Sequence, residues 1–344
     1  MTVDDMAPPS TTRTGRGPTA LRSVRGRALA AIAAGIAVVG LLAAALVLLL
    51  MPPTWASGAS GTEVADGSFA AWRGSEIDVA GTWIDNNEAQ VEVWPLLPDA
   101  EYSAWEKDLD VAVGAIGWDE TWAEAADGAY DDRWRRSLEK IESLWNERDR
   151  GQLYLRFAHE MNGSWYPWKV TAGQEADFQA AWERYRALQV DLLPDAKLVF
   201  SVNRESVDTG TDWREFFPGE EQVDVFAVDY YNQHPHVETA AQWKDTLREK
   251  DQWGAPKGLL AHQAFAREKG LPFALSEWGN NAEYGESPLF MRQMRAFFEE
   301  NAGDGPGEVL YEVYFNPADV EDGKWSVWPK TLQPDSARAY REAF

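Results

Sequence analysis

The sequence of 344 residues contains no cysteine and only four histidines. The lack of cysteine excludes disulfide bonds, thiol catalysis and thiolate metal sites, and also a lipid anchor attached through cysteine. Two of the histidines, His234 and His236, lie close together in NQHPH and could bind a metal ion, but we interpret this segment as a loop that lines a cleft. We therefore predict neither a metal site nor a cofactor.

Basic residues are few compared with acidic ones, 32 against 56, which gives a formal net charge of −24. A field of this sign repels phosphate backbones, so we expect no nucleic-acid partner. The composition is otherwise that of a globular protein, with 45% hydrophobic and 26% charged residues. Eighteen tryptophans exceed what a core of this size needs. Exposed rings are costly, so the excess indicates that some of them face a ligand.

Charge is absent from residues 28–51, a run of 24 residues that includes LLAAALVLLL. A membrane-spanning helix needs roughly 20 apolar residues, whereas the apolar core of a cleavable signal has roughly 7–15. Five arginines precede the run, and no Lys or Arg follows it until Arg73. Because positive flanks stay in the cytoplasm, we predict a single-pass protein of the cell membrane with its larger part outside the cell.

The predicted organisation has four parts. Residues 1–27 form a cytoplasmic basic N-terminus, 28–51 a transmembrane signal-anchor, 52–62 a Pro/Gly/Ser linker and 63–344 a catalytic domain. The alternative is a long signal peptide that is cut among the small residues of WASGAS (55–60), which would release a secreted protein.

Apolar, β-rich runs alternate with helical patterns along the rest of the chain. The predicted strands are 77–84, 110–118, 153–160, 197–203, 223–231, 272–278 and 309–316, with an eighth near 91–97. Helical periodicity fills 131–145, 175–193 and 287–301. This alternation predicts a (β/α)₈ TIM barrel. A doubly wound sheet is the rival, but it requires a Gly-rich turn after the first strand, and GTWIDNN is not one.

Polar groups and rings follow several predicted strands, and in a barrel those strand ends meet on one face. Glu160 ends the LYLRFAHE strand and Glu277 ends the PFALSE segment. If these are the fourth and seventh strands, the two carboxyls face each other, as cleavage of a glycosidic bond requires. The apolar neighbours of Glu160 favour its neutral form. Nearby rings suit a sugar because its C–H faces stack on aromatic side chains.

The segment RFAHEMNGSWYPW (156–168) resembles the signature of glycoside hydrolase family 26, whose best-known members are endo-β-mannanases. The segments GAYDDRWRR (128–136), VDVFAVDYYN (223–232) and LSEWG (275–279) occur around it in the order of that family. The resemblance covers roughly residues 75–316. It implies a TIM barrel that cleaves internal β-glycosidic bonds with retention of configuration, with Glu160 as acid/base and Glu277 as nucleophile.

The resemblance also implies binding residues. His159 would hold the sugar or the nucleophile by a hydrogen bond, and Trp165 and Trp168 would stack on sugar rings. Tyr231 would donate a hydrogen bond to the nucleophile, which favours its charged form. Asn203 ends the fifth strand as it does in the family.

One departure concerns the eighth strand, where family members commonly carry a tryptophan beneath the cleaved sugar. Here the segment is VYFNPAD (313–319), so Tyr314, Phe315, Trp325 or Trp328 must supply that ring.

We expect a monomer with a polysaccharide partner, most simply of the β-1,4-mannan type. The alternatives are a β-glucanase or β-xylanase of the same family, or an inactive membrane-anchored polysaccharide-binding protein that keeps the fold without the chemistry.

Overall fold

Eight parallel strands close into a barrel in the computed structural model, which describes residues 54–146 and 149–344. These residues lie in the second of the two units of the chain, Pro53–Phe344. The strands are β1 Ala56–Ser60, β2 Val79–Ile84, β3 Asp108–Val113, β4 Leu153–Phe157, β5 Lys197–Asn203, β6 Val225–Asn232, β7 Phe273–Asn280 and β8 Val309–Tyr314. Each strand pairs with the next in sequence, and β8 closes the ring on β1.

Helices surround the barrel. They are α1 Thr62–Ala65, α2 Ser68–Arg73, α3 Asn87–Glu92, α4 Trp122–Ala126, α5 Asp131–Trp145, α6 Glu175–Leu192, α7 Ala240–Thr246, α8 Leu259–Glu268, α9 Pro288–Asn301 and α10 Pro334–Ala343. In α5 the buried residues Trp134, Leu138 and Ile141 recur every three to four positions and form one apolar face. The predicted helices at 131–145, 175–193 and 287–301 are therefore confirmed, and with them the TIM barrel.

The core has two layers. All eight residues of β6 are buried, as expected for a strand covered on both faces. The larger apolar cluster includes residues of both strands and helices. A smaller cluster comes from six strands and consists of Val79, Tyr154, Val199, Val225, Ala227, Ala274, Tyr311 and Val313. Because side chains alternate along each strand, this second cluster fills the inside of the barrel.

Two predictions about the strands are wrong. The eighth strand is not near 91–97, because Asn86 caps α3 there and Val93 then adopts a left-handed conformation (φ 53°). It is β1, Ala56–Ser60, inside the segment 52–62 that we predicted as a linker. The predicted strand 153–160 also ends early, at Phe157, because Ala158 and Glu160 have φ values of 52°.

The predicted membrane segment lies outside the described residues. Within residues 54–146 and 149–344, no helix has the length and apolar character needed to cross a membrane. The predicted organisation of residues 1–51 therefore stays a prediction.

Candidate active site

A cavity of about 780 Å³ opens at the end of the barrel where the strands finish. It contains both predicted catalytic carboxyls and a set of rings. Those of its lining residues that matter most for its chemistry are Trp83, Glu160, Trp165, Asn203, Tyr231, Glu277 and Phe315. A size of this order suits a ligand that is largely enclosed.

Glu160 lies in a tight turn just beyond β4. The turn is held by its own backbone, because Glu160 N donates to the carbonyl oxygen of Ser201 on β5 (3.0 Å) and Gly163 N donates to the carbonyl oxygen of Glu160 (2.8 Å). A left-handed conformation at a residue other than glycine is strained by about 1–3 kcal/mol. The surrounding hydrogen bonds offset that strain and fix the direction of the Glu160 side chain.

Asn162 ties this turn to the neighbouring strand. Its side-chain amide donates to the carbonyl oxygen of Asn203 (2.9 Å), and its side-chain oxygen accepts from Asn203 N (2.8 Å). Asn162 is fully buried, so these bonds are protected from water. The ends of β4 and β5 are thereby held in register.

The Glu160 carboxyl is buried and accepts one hydrogen bond on each oxygen. Asn203 Nδ2 donates to Oε1 (2.6 Å), and Trp165 Nε1 donates to Oε2 (2.7 Å). Burial, together with the charge of Glu277, raises the pKa of Glu160 to about 7, and the two hydrogen bonds lower it only in part. Glu160 therefore keeps its proton in a large fraction of molecules at neutral pH, as the apolar neighbours predicted.

The Glu277 carboxyl lies on β7 and receives three donors. Tyr231 OH donates to Oε2 (2.6 Å), while Trp83 Nε1 and Arg156 Nη1 each donate to Oε1 (2.9 Å). The bond from Tyr231, which the resemblance implied, is present.

Arg156 is the residue of this site that our sequence analysis missed. Its guanidinium is fully buried inside the barrel, where it pairs with Asp110 and Asp229 as well as Glu277. Burial, with the charge of Glu277, raises the pKa of Asp229 well above its usual range, and Arg156 opposes that rise. The signal was present, because an arginine in the otherwise apolar strand LYLRF is unusual unless it is paired.

Two predicted sugar-binding residues do not face the cavity. Trp168 is only 1% exposed, and its Nε1 donates to the carbonyl oxygen of His159 (2.8 Å), so its ring supports the turn and cannot stack on a sugar. His159 is also buried, and its ring packs against both Tyr166 and Trp168. By contrast, Trp165 is 42% exposed and lines the cavity, where its ring is free to stack.

The structure also shows which of the four candidate rings near the end of β8 can contact a ligand. Phe315 and Trp325 line the cavity. Tyr314 is buried and donates to the carbonyl oxygen of Trp325 (3.0 Å), and Trp328 stacks on Trp72. Phe315 and Trp325 are therefore the rings that can meet a ligand from this side.

A metal ion has one geometrically possible place among the described residues. Ligand atoms of His159, Glu160 and Asp229 lie within 4.8 Å of one another. The Arg156 guanidinium is 3.3 Å from Asp229 and opposes a second cation there. His234 is exposed on the loop after β6, where Tyr284 OH lies 3.3 Å from its Nε2, and the neighbouring Gln233 lines the cavity.

The arrangement supplies an acid and a base in one enclosed site. Burial and the charge of Glu277 raise the pKa of Glu160 to about 7, whereas the Glu277 carboxyl accepts three hydrogen bonds. Two carboxyls in such different environments can divide the tasks of proton donor and nucleophile. Exposed rings beside them offer surfaces for sugar stacking.

Comparisons with known proteins agree with this chemistry. Residues 114–253 match the family model described as "Glycosyl hydrolase family 26". The chain is 25% identical over 199 residues to Endoglucanase H of Acetivibrio thermocellus, which covers 56% of this chain and 20% of that protein. It is 27% identical over 197 residues to a mannan endo-1,4-beta-mannosidase of Bifidobacterium adolescentis, covering 54% of this chain and 17% of that protein. The matched region thus spans a fifth or less of the length of these relatives.

Solved structures show the same fold. The catalytic domain of a GH26 endo-beta-1,4-mannanase from Bacillus sp. JAMB-750 superposes with a TM-score of 0.57 and 14% identity, covering 84% of this chain and 85% of that one. A modular endo-beta-1,4-mannanase from Cellulomonas fimi gives a TM-score of 0.59 and 14% identity, covering 85% of this chain and 71% of that one. At these identities the likeness concerns the fold.

Proposed function

We propose that this chain is a glycosidase of glycosyl hydrolase family 26 that cleaves internal β-1,4 bonds of a mannan-type polysaccharide with retention of configuration. The observation that carries this proposal is the contrast between the two carboxyls. Glu160 has a pKa raised to about 7 by burial and by the charge of Glu277, and the Glu277 carboxyl accepts three hydrogen bonds that hold it in place.

The proposed reaction has two steps. In the first, a carboxylate oxygen of Glu277 bonds to the anomeric carbon while the glycosidic bond breaks, and Glu160 gives its proton to the departing oxygen. In the second, the Glu160 carboxylate takes a proton from water as the water oxygen bonds to the anomeric carbon and the bond to Glu277 breaks. Each step inverts the anomeric carbon, so the product keeps the original configuration.

The substrate class rests on the rings and on the relatives. Trp165 stands beside Glu160, so its ring would carry the sugar that leaves with the protonated oxygen. One relative is named a mannan endo-1,4-beta-mannosidase. Another is named Endoglucanase H, which makes a mixed-linkage or other β-glucan the second candidate.

We also propose that the catalytic domain is held outside the cell by residues 28–51. This rests on the 24 uncharged residues of that run and on the arginines before it.

The experiment is a reducing-end assay of the full chain on soluble mannan, lichenan, xylan and curdlan. We expect new reducing ends from mannan, and early proton NMR spectra should show the first-formed product with its original anomeric configuration. Glu277→Ala should abolish turnover of every substrate. Glu160→Ala should keep some activity on substrates with good leaving groups, and added azide should increase it, because azide needs no general base.

A matched control is Glu139→Ala, which removes an exposed carboxyl on α5 and should leave turnover unchanged. Binding to a polysaccharide without new reducing ends would instead support an inactive binding protein. Inversion of the anomer at early times would show that Glu277 is not a nucleophile.

A further inference from the structure

The family resemblance names one of the three donors to Glu277, Tyr231, and leaves Arg156 and Trp83 without a role; of these two, Trp83 lines the cavity. It lies on β2, whereas Glu277 lies on β7, and the two are 194 residues apart in sequence. These strands are not neighbours, because β8 and β1 lie between them. The indole of Trp83 therefore reaches across the mouth of the barrel to donate its N–H to Oε1 (2.9 Å).

The Trp83 ring must also lie close to the sugar that is cleaved. An attacking oxygen stands about 3–3.5 Å from its target carbon in a reactive complex. The nitrogen of the Trp83 ring is 2.9 Å from the same carboxylate, so the ring lies within reach of the sugar that carries that carbon. Trp83 is half-buried and lines the cavity, so one part of its ring remains available.

The surroundings fix the Trp83 ring in place. Phe315 meets it edge to face, with ring centres 5.3 Å apart and an interplanar angle of 82°. Phe315 meets Tyr231 in the same way, at 5.7 Å and 89°. One ring at the end of β8 thus braces two donors, one for each oxygen of Glu277. A carboxylate held on both oxygens cannot rotate away from the attacking geometry.

The donors on Oε1 are not equivalent. Arg156 Nη1 is shared, because it also lies 3.3 Å from Asp229 Oδ2. Trp83 Nε1 donates to Glu277 and carries no charge. A neutral N–H orients the carboxylate without adding a second cation that would weaken it as a nucleophile.

We propose that Trp83 is a positioning residue for the nucleophile Glu277 and that its ring forms part of the binding surface for the sugar at the cleaved bond. This inference rests on the proposed function and adds to it a specificity element supplied by β2. The contributions of the ring and of the N–H can be tested separately, because phenylalanine at residue 83 keeps an aromatic surface and lacks the hydrogen-bond donor.

The test compares Trp83→Phe and Trp83→Ala in the full chain with the polysaccharide that the wild type cleaves. Trp83→Phe should lower kcat about 10- to 100-fold with KM changed less than about threefold, because a hydrogen bond to a charged group is lost. Trp83→Ala should lower kcat similarly and also raise KM, because the ring is lost as well.

Trp94→Phe is the matched control, since Trp94 is 45% exposed and lies outside the cavity lining. It should leave kcat and KM unchanged. A purely structural role of Trp83 would instead lower the melting temperature of both variants and leave KM the same in Trp83→Phe and Trp83→Ala, and that result would overturn the inference. An active wild type with an unchanged Trp83→Phe variant overturns this inference alone, whereas a wild type without any hydrolysis overturns the proposed function as well.

Discussion

Glu160 illustrates how one side chain can trade stability for chemistry. Its carboxyl is 6% exposed, and burial with the charge of Glu277 raises its pKa to about 7 from an ordinary value of 4.5. An unfolded chain would release this proton near pH 4.5, whereas the folded chain releases it near pH 7. The folded state therefore binds more protons in this window, and its stability falls as the pH rises through it.

This linkage predicts a pH-dependent effect of Glu160→Gln, whose side chain has no proton to lose. Relative to the wild type, the variant should gain stability between pH 5 and pH 8, by on the order of 2–3 kcal/mol. Thermal unfolding at pH 5 and at pH 8 measures the difference in stability between the variant and the wild type at each pH. Subtracting one of these differences from the other cancels any effect of the amide that does not depend on pH. Glu139→Gln, at an exposed position on α5, is the control. An equal shift at both pH values would contradict a raised pKa at Glu160.

At the scale of elements, the turn after β4 shows why HEMNG carries its particular residues. Asn162 joins the ends of β4 and β5 through two hydrogen bonds. Gly163 leaves room for Trp165, because a Cβ at residue 163 would lie 2.3 Å from that ring. The ring can then reach Glu160 Oε2. The motif thus fixes the orientation of the Glu160 carboxyl.

Gly163→Ala tests whether the turn needs this space. The substitution causes no backbone strain of the left-handed kind, since Gly163 is not among the residues of positive φ. The added methyl group should displace Trp165 and break its bond to Glu160. Because that bond lowers the pKa of Glu160, its loss should raise the pKa, and the alkaline side of the activity profile should move to higher pH. We expect kcat/KM to fall about 10-fold, for one hydrogen bond to a catalytic group.

The comparison variant is Trp165→Ala, which removes the same bond directly and should shift the profile in the same direction. Because Trp165 is 42% exposed, neither substitution should lower the melting temperature by more than a few degrees. A wild-type profile in Gly163→Ala together with a shifted one in Trp165→Ala would show that the turn tolerates a Cβ.

Sequence patterns located most strands because their residues are apolar and β-branched, but they missed β1. Its sequence, ASGAS, has neither property. The reason is steric: a Cβ on Gly58 would lie 2.1 Å from the carbonyl oxygen of Val79, so close strand contact selects small residues there. Conversely, VEVWPLL (91–97) alternates like a strand, yet the Asn86 cap and Pro95 make it the end of a helix and a 3₁₀ turn.

The site, like the fold, could be predicted only in part from the sequence. Glu160 and Glu277 follow strands, so topology alone brings them to one face of the barrel. The contacts of Trp83 and Arg156 depend on how side chains cross the barrel. An arginine in the apolar strand LYLRF indicates a buried ion pair, but the local sequence does not identify its partners. Burial of Trp168 likewise arises from packing against Tyr166 at 4.5 Å, which sequence spacing does not determine.

At the scale of the whole molecule, charge and architecture point to the same class of substrate. The net charge of −24 disfavours polyanions, whereas a neutral polysaccharide experiences no such repulsion. The rings around Glu277 then supply the attraction that charge does not. Both features suit the neutral polysaccharide that we propose as the substrate.

The fold also constrains how residues 28–51 can be processed. Strand β1 begins at Ala56 and pairs with both β2 and β8. A signal cut among residues 57–60 would remove part of β1 and open the barrel at that seam. A cleaved chain that keeps this barrel must therefore begin at or before Ala56. This restricts where a signal peptide could be cut, if residues 28–51 are a cleavable signal instead of a membrane anchor.

We predict that the full chain fractionates with membranes, resists washing with high salt and is released by detergent. The physical reason is that 24 uncharged residues are long enough to span the apolar part of a bilayer. Replacing Leu41 and Leu42 by arginine should weaken insertion, since each charge near the centre costs about 2.5–3.5 kcal/mol, whereas Leu42→Met should leave it unchanged. Immunoblots of membrane and soluble fractions give the readout. A mature protein found in the medium, with an N-terminus between residues 51 and 56, would replace the anchor by a cleaved signal while leaving the proposed chemistry intact.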